Sequence, residues 1–319
     1  MSHFKLQPLT LALLAVTSTS VIANTTESEV KNAQQLSTIV VSAAGYEQKI
    51  KDAPASITVL DQEEFKTKRI TSLADALKGI EGVDISPAAG KTGTLNIRMR
   101  GMPAEYTLIL IDGKRQNSVG SITPNGFAES NNNFIPPISA IERIEVIRGP
   151  MSTLYGSDAM GGVINIITKK VSNEWTGSVS LDATILPKSS DFGNQRTVDA
   201  YVSGPLIQDK LGIQLRGRYN ERDQSSIRYT NDAGAEVELS QGNNPTKSDL
   251  STIGTRLTYT PTDAHAISLE YEQTEQWFDN SKGQLGTLGA AGGYDDAQEY
   301  NREKWALIHE WKNDYGQLD

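Results

Sequence analysis

The segment that decides the fold is Ile141–Lys170, which reads IERIEVIRGPMSTLYGSDAMGGVINIITKK. Its two ends, Ile141–Ile147 and Val163–Thr168, consist mostly of β-branched residues and predict two short buried strands. Glycines permit positive φ and close approach of neighbouring backbone, and they separate the two runs at Gly149, Gly156, Gly161 and Gly162. The segment therefore predicts a compact strand–turn–strand unit, a pattern that an ordinary α/β protein would also show.

The residues that precede this segment predict a mixed α+β domain. Apolar residues at helical spacing indicate a helix over Ile70–Ile80, with Ser72 and Asp75 in a capping-box relation and Gly79 and Gly82 at its end. Strands are predicted at Ser56–Leu60, Val83–Ile85, Leu95–Met99 and Thr107–Ile111, the last of which runs into the turn signal Asp112-Gly113.

After Trp175 the pattern changes to strict alternation of apolar and polar residues, in six successive stretches that begin near positions 175, 198, 211, 253, 267 and 305. This is the period of a transmembrane β-barrel, although a periplasmic β-sandwich would show it too. The connections GPLIQDK and PTDA are short, whereas Leu186–Gln195, Arg222–Leu250 and Gln276–Tyr300 are long. Short turns at one end and long loops at the other favour an outer-membrane barrel whose first strand runs outward.

The first residues predict export. Residues 1–23 contain one lysine, the apolar run Leu9–Val16 and the small residues Val21 and Ala23, as a secretory signal peptide does. No other segment approaches the roughly 20 apolar residues of a membrane-spanning helix. The sequence has no cysteine, so disulfides and thiolate metal sites are excluded, and its net charge of −9 disfavours nucleic-acid binding.

Several separated motifs resemble, in their order, the plug domain of TonB-dependent outer-membrane receptors: DAPASITVL, ADALKGIEGVDI, NIRMRGMPAEYTLILIDGKR and IPPISAIERIEVIRGP. Within that family the likeness is greatest to the group of the colicin I receptor and the ferric enterobactin receptor. The resemblance implies an α+β plug domain over residues 47–170, followed over 171–319 by the first strands of a 22-stranded transmembrane antiparallel β-barrel. Because only six strands and the start of a seventh, Gly316–Asp319, are present, we expect an incomplete barrel and an N-terminal fragment of a receptor.

Residues 24–46 form a polar leash that carries one short hydrophobic patch. The patch resembles the TonB box and comprises Thr38, Ile39, Val40, Val41, Ser42 and Ala43. An extended patch of this kind can add as a strand to the sheet edge of a partner, here TonB with its ExbB/ExbD energising complex. Alternatively, the patch is the first strand of the folded domain.

The resemblance also implies two sets of site residues. Arg100 and Arg148 match positions at which the family buries arginines against glutamates of the barrel wall, although both could be surface charges. The expected ligand-binding residues are cationic and aromatic groups in loops, suited to a catecholate ferric complex: Lys91, Arg222, Arg228, Tyr229, Trp277 and Phe278.

The function implied by the resemblance is energy-coupled uptake of a ferric siderophore, of the catecholate type, across the outer membrane of a Gram-negative bacterium. Import of cobalamin or haem and a role as a surface signalling receptor are the alternatives. Only three histidines occur, and only 14 residues lie between the predicted cleavage site and the patch, so haem ligation and a signalling domain have little support. Besides TonB, the expected partners are the siderophore, a colicin and outer-membrane lipid. Dispersed acids such as Asp112 and Asp158 form no nucleophile–base set and are better explained as turn and charge-network residues, so we predict no enzyme activity, catalytic residue, metal or cofactor.

Overall fold

The structure is a computed structural model, and it describes residues 39–40, 48–50, 55–67, 70, 72–87, 95–116, 135–188, 190–238, 245–282, 285, 288–289, 295–313 and 316–318. The predicted signal peptide and most of the predicted leash lie outside these ranges. In the described part of the chain, no helix has both the length and the apolar character needed to cross a membrane.

The N-terminal half is an α+β domain built on a five-stranded sheet with the order β3-β8-β9-β6-β7. Neighbours in this sheet are antiparallel except β6 and β9, which are parallel. The strands are β1 (Ile39–Val40), β2 (Gln48–Lys49), β3 (Ser56–Leu60), β4 (Val83–Pro87), β5 (Leu95–Met99), β6 (Thr107–Ile111), β7 (Lys114–Arg115), β8 (Ile141–Arg148) and β9 (Gly162–Thr168). The helices are α1 (Gln62–Thr67), α2 (Leu73–Leu77) and α3 (Ser152–Tyr155). The predicted strands of this domain are all confirmed, with shifts of one or two residues at their ends.

Helix α2 is shorter than the predicted Ile70–Ile80, but its start follows the predicted cap. The Ser72 hydroxyl oxygen accepts a hydrogen bond from the Asp75 amide at 3.1 Å and donates one to the Asp75 carboxylate at 2.9 Å. The helix ends early because Lys78 is already extended and Gly79 has a φ of 87°. Its apolar face, which includes Leu73 and Leu77, packs in a core with buried isoleucines of β6, β8 and β9.

The C-terminal half is a seven-stranded antiparallel sheet in sequence order, β10-β11-β12-β15-β16-β17-β18. Its strands are β10 (Thr176–Thr184), β11 (Gln195–Ile207), β12 (Leu211–Arg222), β15 (Ser248–Thr262), β16 (His265–Asp279), β17 (Ala297–Asn313) and β18 (Gly316–Leu318). The long connection after β12 contains a small hairpin of β13 (Arg228–Thr230) and β14 (Glu236–Glu238). In the described residues β10 does not pair with β18, so the predicted open sheet of six to seven strands is confirmed.

The two faces of this sheet have opposite character. Apolar side chains on the outer face are exposed, and Leu181 and Leu307 are 78% and 76% accessible. Polar and charged side chains on the inner face are buried against the α+β domain, and Arg216 and Glu272 are 4% and 2% accessible. Aromatic residues border the apolar band, with Trp175, Tyr259 and Trp311 at the short-turn end and Tyr219, Tyr271 and Trp305 at the long-loop end. A lipid-facing outer wall with aromatic borders has this arrangement.

The chain enters the sheet through residues 169–175, where side chains pack on glycines of neighbouring strands. The Trp175 indole covers Gly204 of β11, and a Cβ atom at Gly204 would collide with the indole ring. Val171 covers Gly212 of β12 in the same way. An aromatic ring that covers a strand glycine fixes the register of the pair, so these contacts hold the first strand in place.

We predict that Gly204→Val destabilises the sheet by about 1–3 kcal/mol, because the new side chain must displace the indole of Trp175. Gly217→Val on β12 is the matched control, since the nearest atom to a Cβ there is the Thr252 carbonyl oxygen at 3.8 Å. Thermal unfolding of the protein in lipid vesicles measures both. Equal transition temperatures for the two variants would contradict the contact.

Candidate functional site

The contact between domain and sheet starts at the turn between β6 and β7. Asp112 and Gly113 both have positive φ, 49° and 73°, and the Asn165 side-chain oxygen accepts a hydrogen bond from the Gly113 amide at 3.1 Å. The Asp112 carboxylate accepts bonds from the amide of Thr168 at 2.8 Å and from its hydroxyl at 2.7 Å. The domain therefore holds this carboxylate in a fixed position at its edge.

Arg256 on β15 joins the turn to the sheet. Its guanidinium donates to the Asp112 carboxylate at 2.7 Å and also bonds Glu270 on the adjacent strand β16. The Lys114 ammonium, from the domain, lies 3.7 Å from the Glu270 carboxylate. One buried arginine and one buried glutamate thus each contact a charged group of the domain.

A second cluster lies beside the first, one inward position further along β16. Glu272 accepts hydrogen bonds from Arg216 of β12 at 2.8 and 3.1 Å and from Arg302 of β17 at 3.0 Å. Arg302 also donates to the side-chain oxygen of Gln116, in the domain, at 3.1 Å. We call Asp112, Lys114, Gln116, Arg216, Arg256, Glu270, Glu272 and Arg302 the interface network.

Residues 169–175, which join the two halves and which we call the hinge, are bonded to the sheet as well. The Lys169 carbonyl oxygen accepts bonds from Gln214 at 2.8 Å and from Arg256 at 3.5 Å. The Lys169 ammonium donates to the Ser139 carbonyl oxygen at 2.7 Å and lies 4.9 Å from the centre of the Tyr201 ring. The hinge therefore shares Arg256 with the interface network.

Electrostatics explain why the network can be buried. Burial alone would raise the pKa of Asp112, but the charge of Arg256 and the hydrogen bonds from Thr168 outweigh it and lower that pKa. The network has four cationic groups, Lys114, Arg216, Arg256 and Arg302, and three carboxylates, Asp112, Glu270 and Glu272. Removing a carboxylate would thus leave buried cations with too few partners, which is strongly destabilising. The arrangement can hold the domain against the sheet, and it can release the domain only when several charge-assisted bonds break together.

The two predicted interface arginines lie elsewhere in the domain. Arg148 donates to the Glu81 carbonyl oxygen at 3.0 Å and to the Thr58 hydroxyl at 2.9 Å. Arg100 is exposed, with a φ of 54°. The structure does not bring either residue to a glutamate of the described sheet, so their pairing with barrel glutamates stays a prediction.

The predicted ligand-binding residues are dispersed. Lys91 is outside the described residues. Arg228 and Tyr229 are exposed on the β13–β14 hairpin, and Trp277 lines an outer-face cavity of about 260 Å³ with Tyr219 and carboxylates. Arg222 donates to the Thr246 carbonyl oxygen at 3.1 Å, and Phe278 is buried with Leu285 and Tyr300. Internal packing accounts for Arg222 and Phe278, and ligand contact at all six positions stays a prediction.

Only part of the predicted TonB box is described. Ile39 and Val40 form β1, which pairs antiparallel with β2, so that Ile39 lies opposite Lys49 and Val40 opposite Gln48. Thr38, Val41, Ser42 and Ala43 are outside the described residues. The extended backbone agrees with both readings of the patch, a partner-binding strand and a first strand of the domain.

Sequence reasoning missed the interface network, although signals for it exist. The sequence assigns Asp112 to a turn or a charge network without identifying its partner, yet the turn ends a fully buried strand, which places its side chain at the edge of the core. Arg216, Arg256, Glu270 and Glu272 all occupy positions that the alternation assigns to the polar face. Charged residues of both signs on the inner face of neighbouring strands indicate a buried partner rather than water.

Comparison with known proteins agrees with this geometry. Residues 49–163 match the family model described as TonB-dependent Receptor Plug Domain. The chain is 38% identical over 88% of its length to the iron-regulated outer membrane virulence protein of Vibrio cholerae and 30% identical over 82% to the ferric enterobactin receptor PirA of Pseudomonas aeruginosa. The crystal structure of the siderophore receptor PirA from Acinetobacter baumannii superposes with a TM-score of 0.67 at 30% identity, over 84% of this chain and 39% of that one.

The chain therefore belongs to the TonB-dependent outer-membrane receptors, with a plug domain followed by strands of the receptor barrel. It spans about two fifths of the length of the relatives that it matches, 41% of the Vibrio cholerae protein and 37% of the Pseudomonas aeruginosa receptor. The relatives are named as receptors, outer membrane proteins and transporters, so enzyme activity is not indicated.

We predict that Asp112→Asn loosens the plug in the barrel, at a cost of about 3–5 kcal/mol, because it removes one of the two carboxylates that Arg256 contacts. The check is hydrogen–deuterium exchange of peptides that cover residues 107–116 and 163–170. Glu310→Gln is the matched control. It breaks the half-exposed Lys170–Glu310 pair, 3.4 Å apart, which should contribute less than about 1 kcal/mol. Unchanged exchange in the Asp112 variant would contradict a holding role.

The same carboxylate predicts an acid dependence. Because the folded-state pKa of Asp112 is lowered, its contribution to stability is complete above the ordinary aspartate pKa of about 3.9 and is lost as the pH falls through the lower folded-state value. Wild-type protection of residues 163–170 should thus persist at pH 5 and decline below about pH 4. Asp112→Asn should lack this part of the decline, which a pH series of exchange rates measures.

Proposed function

We propose that this chain is part of a receptor that imports a ferric siderophore of the catecholate type across the outer membrane, with energy supplied through TonB. The observation that carries the proposal is the interface network. The network joins the plug, which has its own apolar core, to the polar inner face of the β10–β18 sheet. We call this sheet, whose outer face is apolar, the wall. A wall that only sealed the membrane would not need a separately folded domain behind it.

The different chemistry of the core and of the interface explains how such a plug can move. Its core is apolar, so that separating β8 and β9 from α2 would expose isoleucines and leucines to water at roughly 25 cal/mol per Å². Its described contacts with the wall are mainly ion pairs and hydrogen bonds, for which incoming water offers replacement partners. A pull on the N-terminal strand would thus separate hydrogen bonds, at the interface or at the edge of the plug sheet, before the apolar core is lost.

The leash is the expected handle for that pull. The outer membrane has no ATP supply of its own, so uphill transport needs energy that is delivered mechanically from the periplasmic side. The Ile39–Val40 strand is already extended and lies on the N-terminal side of the plug, where a partner could add a strand by backbone pairing. TonB with ExbB/ExbD is the partner that the family implies.

The assignment of cargo rests on the relatives and on loop chemistry. The Pseudomonas aeruginosa relative is named a ferric enterobactin receptor, and enterobactin is a catecholate siderophore. On the exposed hairpin, Arg228 lies 3.9 Å from the Glu236 carboxylate and Tyr229 has an exposed ring, and a cation beside an aromatic face suits an anionic aromatic complex. Vitamin B12 transporters of Vibrio vulnificus are also among the relatives, so cobalamin is the second cargo to test.

The function is tested by uptake of radiolabelled ferric enterobactin in cells whose other receptors for it are deleted. Val40→Pro removes an amide that strand pairing needs, so binding to intact cells should persist while uptake is lost. Val40→Ile is the matched control and should retain both.

The outcomes separate the parts of the proposal. Normal uptake by Val40→Pro would show that the strand is structural and does not couple to TonB. Uptake of radiolabelled cobalamin without uptake of the iron complex would replace the siderophore by the second cargo. Neither cargo entering the cells would overturn the transport assignment.

A further inference from the structure

Two histidines meet on the outer face of the barrel wall. Nδ1 of His265, at the start of β16, lies 3.0 Å from Nε2 of His309, on β17. The ring planes are only 8° apart, and the ring centres are 5.2 Å apart. That separation is the nitrogen–nitrogen distance plus one ring radius at each end, so the rings meet edge to edge with both nitrogens on the line between their centres.

This geometry favours a shared proton over a metal ion. One proton fits between two nitrogens that point at each other, as a donor to one and an acceptor from the other. A tetrahedral zinc ion needs its ligands at about 2.0–2.1 Å with their lone pairs converging on one point off that line. Within the described residues, no group of three or more histidines and carboxylates could hold a metal.

The pair lies at the short-turn border of the apolar band, the end that the turn asymmetry assigns to the periplasmic side. The ring of Trp311 is parallel to His265 within 9°, with centres 6.0 Å apart. Tyr259 lies on the adjacent strand β15, opposite Ile267. Aromatic residues of this kind mark the level of the lipid headgroups, so the imidazoles are at the depth of lipid phosphates.

The carboxylate next to the pair in sequence faces the other side of the sheet, which leaves the outer face open to an anion. Glu310 is next to His309 in sequence but belongs to the inner face, where its carboxylate lies 3.4 Å from the Lys170 ammonium. Among the described side chains, the titratable groups on the elements that adjoin the pair at this border are Tyr259 of β15 and the exposed Asp263 of the preceding turn. When the pair takes up one proton, both outer ring nitrogens, Nε2 of His265 and Nδ1 of His309, become N–H donors on a cation.

We propose that the His265–His309 pair, in its protonated form, binds the phosphate of a phospholipid in the periplasmic leaflet of the outer membrane, with Trp311 beside the headgroup. The two outer N–H groups point away from each other, so a phosphate diester accepts from one of them while the positive charge of the pair attracts it, and the neighbouring apolar band accommodates the acyl chains. Because only the protonated pair carries the positive charge, the proposal requires that lipid retention be greater at acid than at alkaline pH. The proposal does not depend on the transported cargo.

The test is native mass spectrometry of the detergent-solubilised receptor with added phosphatidylglycerol at pH 5.5 and pH 8.0. Wild type should retain several-fold more lipid at pH 5.5, and His265→Gln and His309→Gln should each abolish the difference. Gln273→Ala, on the outer face in the middle of β16, is the control and should behave as wild type. Heat-modifiable gel migration verifies folding of each variant.

Three results would overturn the proposal. Equal retention by wild type at both pH values would do so, even if neither histidine variant folds. Unchanged pH dependence in a folded histidine variant would place the lipid elsewhere. Full displacement of the lipid by millimolar inorganic phosphate would show a site for free phosphate rather than for a phospholipid.

Discussion

The rest of the structure depends on the ion pair between Asp112 and Arg256, which connects the plug to the sheet at the centre of the interface network. The plug has its own apolar core, and the wall presents a polar inner face. Burial of apolar surface therefore cannot join them, and charge-assisted bonds take its place. Each member of the pair has a second partner, Thr168 for Asp112 and Glu270 for Arg256, so that neither charge is left buried alone.

In the wall, apolar side chains are exposed and charged side chains are buried, which is the reverse of a water-soluble protein. The same alternating sequence produces both faces. Successive strand residues point to opposite sides, so that Leu215 and Ile253 face outward while Arg216 and Arg256 face the plug. A shift of one residue in register would expose the arginines to lipid and bury the aliphatic side chains against charges. The contact of Trp175 with Gly204 sets this register at the first strand pair, close to the hinge that carries the plug.

Local patterns in the sequence predicted most of the fold. Alternation gave the wall strands, β-branched runs gave β8 and β9, and the Ser72–Asp75 cap gave the start of α2. The interface network was not predicted, because Asp112 and Arg256 are 144 positions apart and no periodicity links them. Loop residues were hardest to assign. Ligand contact at Phe278 stays a prediction, and the structure adds that this side chain packs with Leu285 and Tyr300, a contact that no local pattern indicates.

The position of β3 in the plug sheet determines which hydrogen bonds would break first if the N-terminal strand were pulled. It is one of the two edge strands, bonded to β8 alone, and it follows β1 and β2 more closely along the chain than any other strand of that sheet. Tension applied at Ile39–Val40 therefore reaches β3 first and has a single ladder of hydrogen bonds to break there. The four remaining strands would stay attached to the wall through the hydrogen bond from Gln214 to the Lys169 carbonyl oxygen.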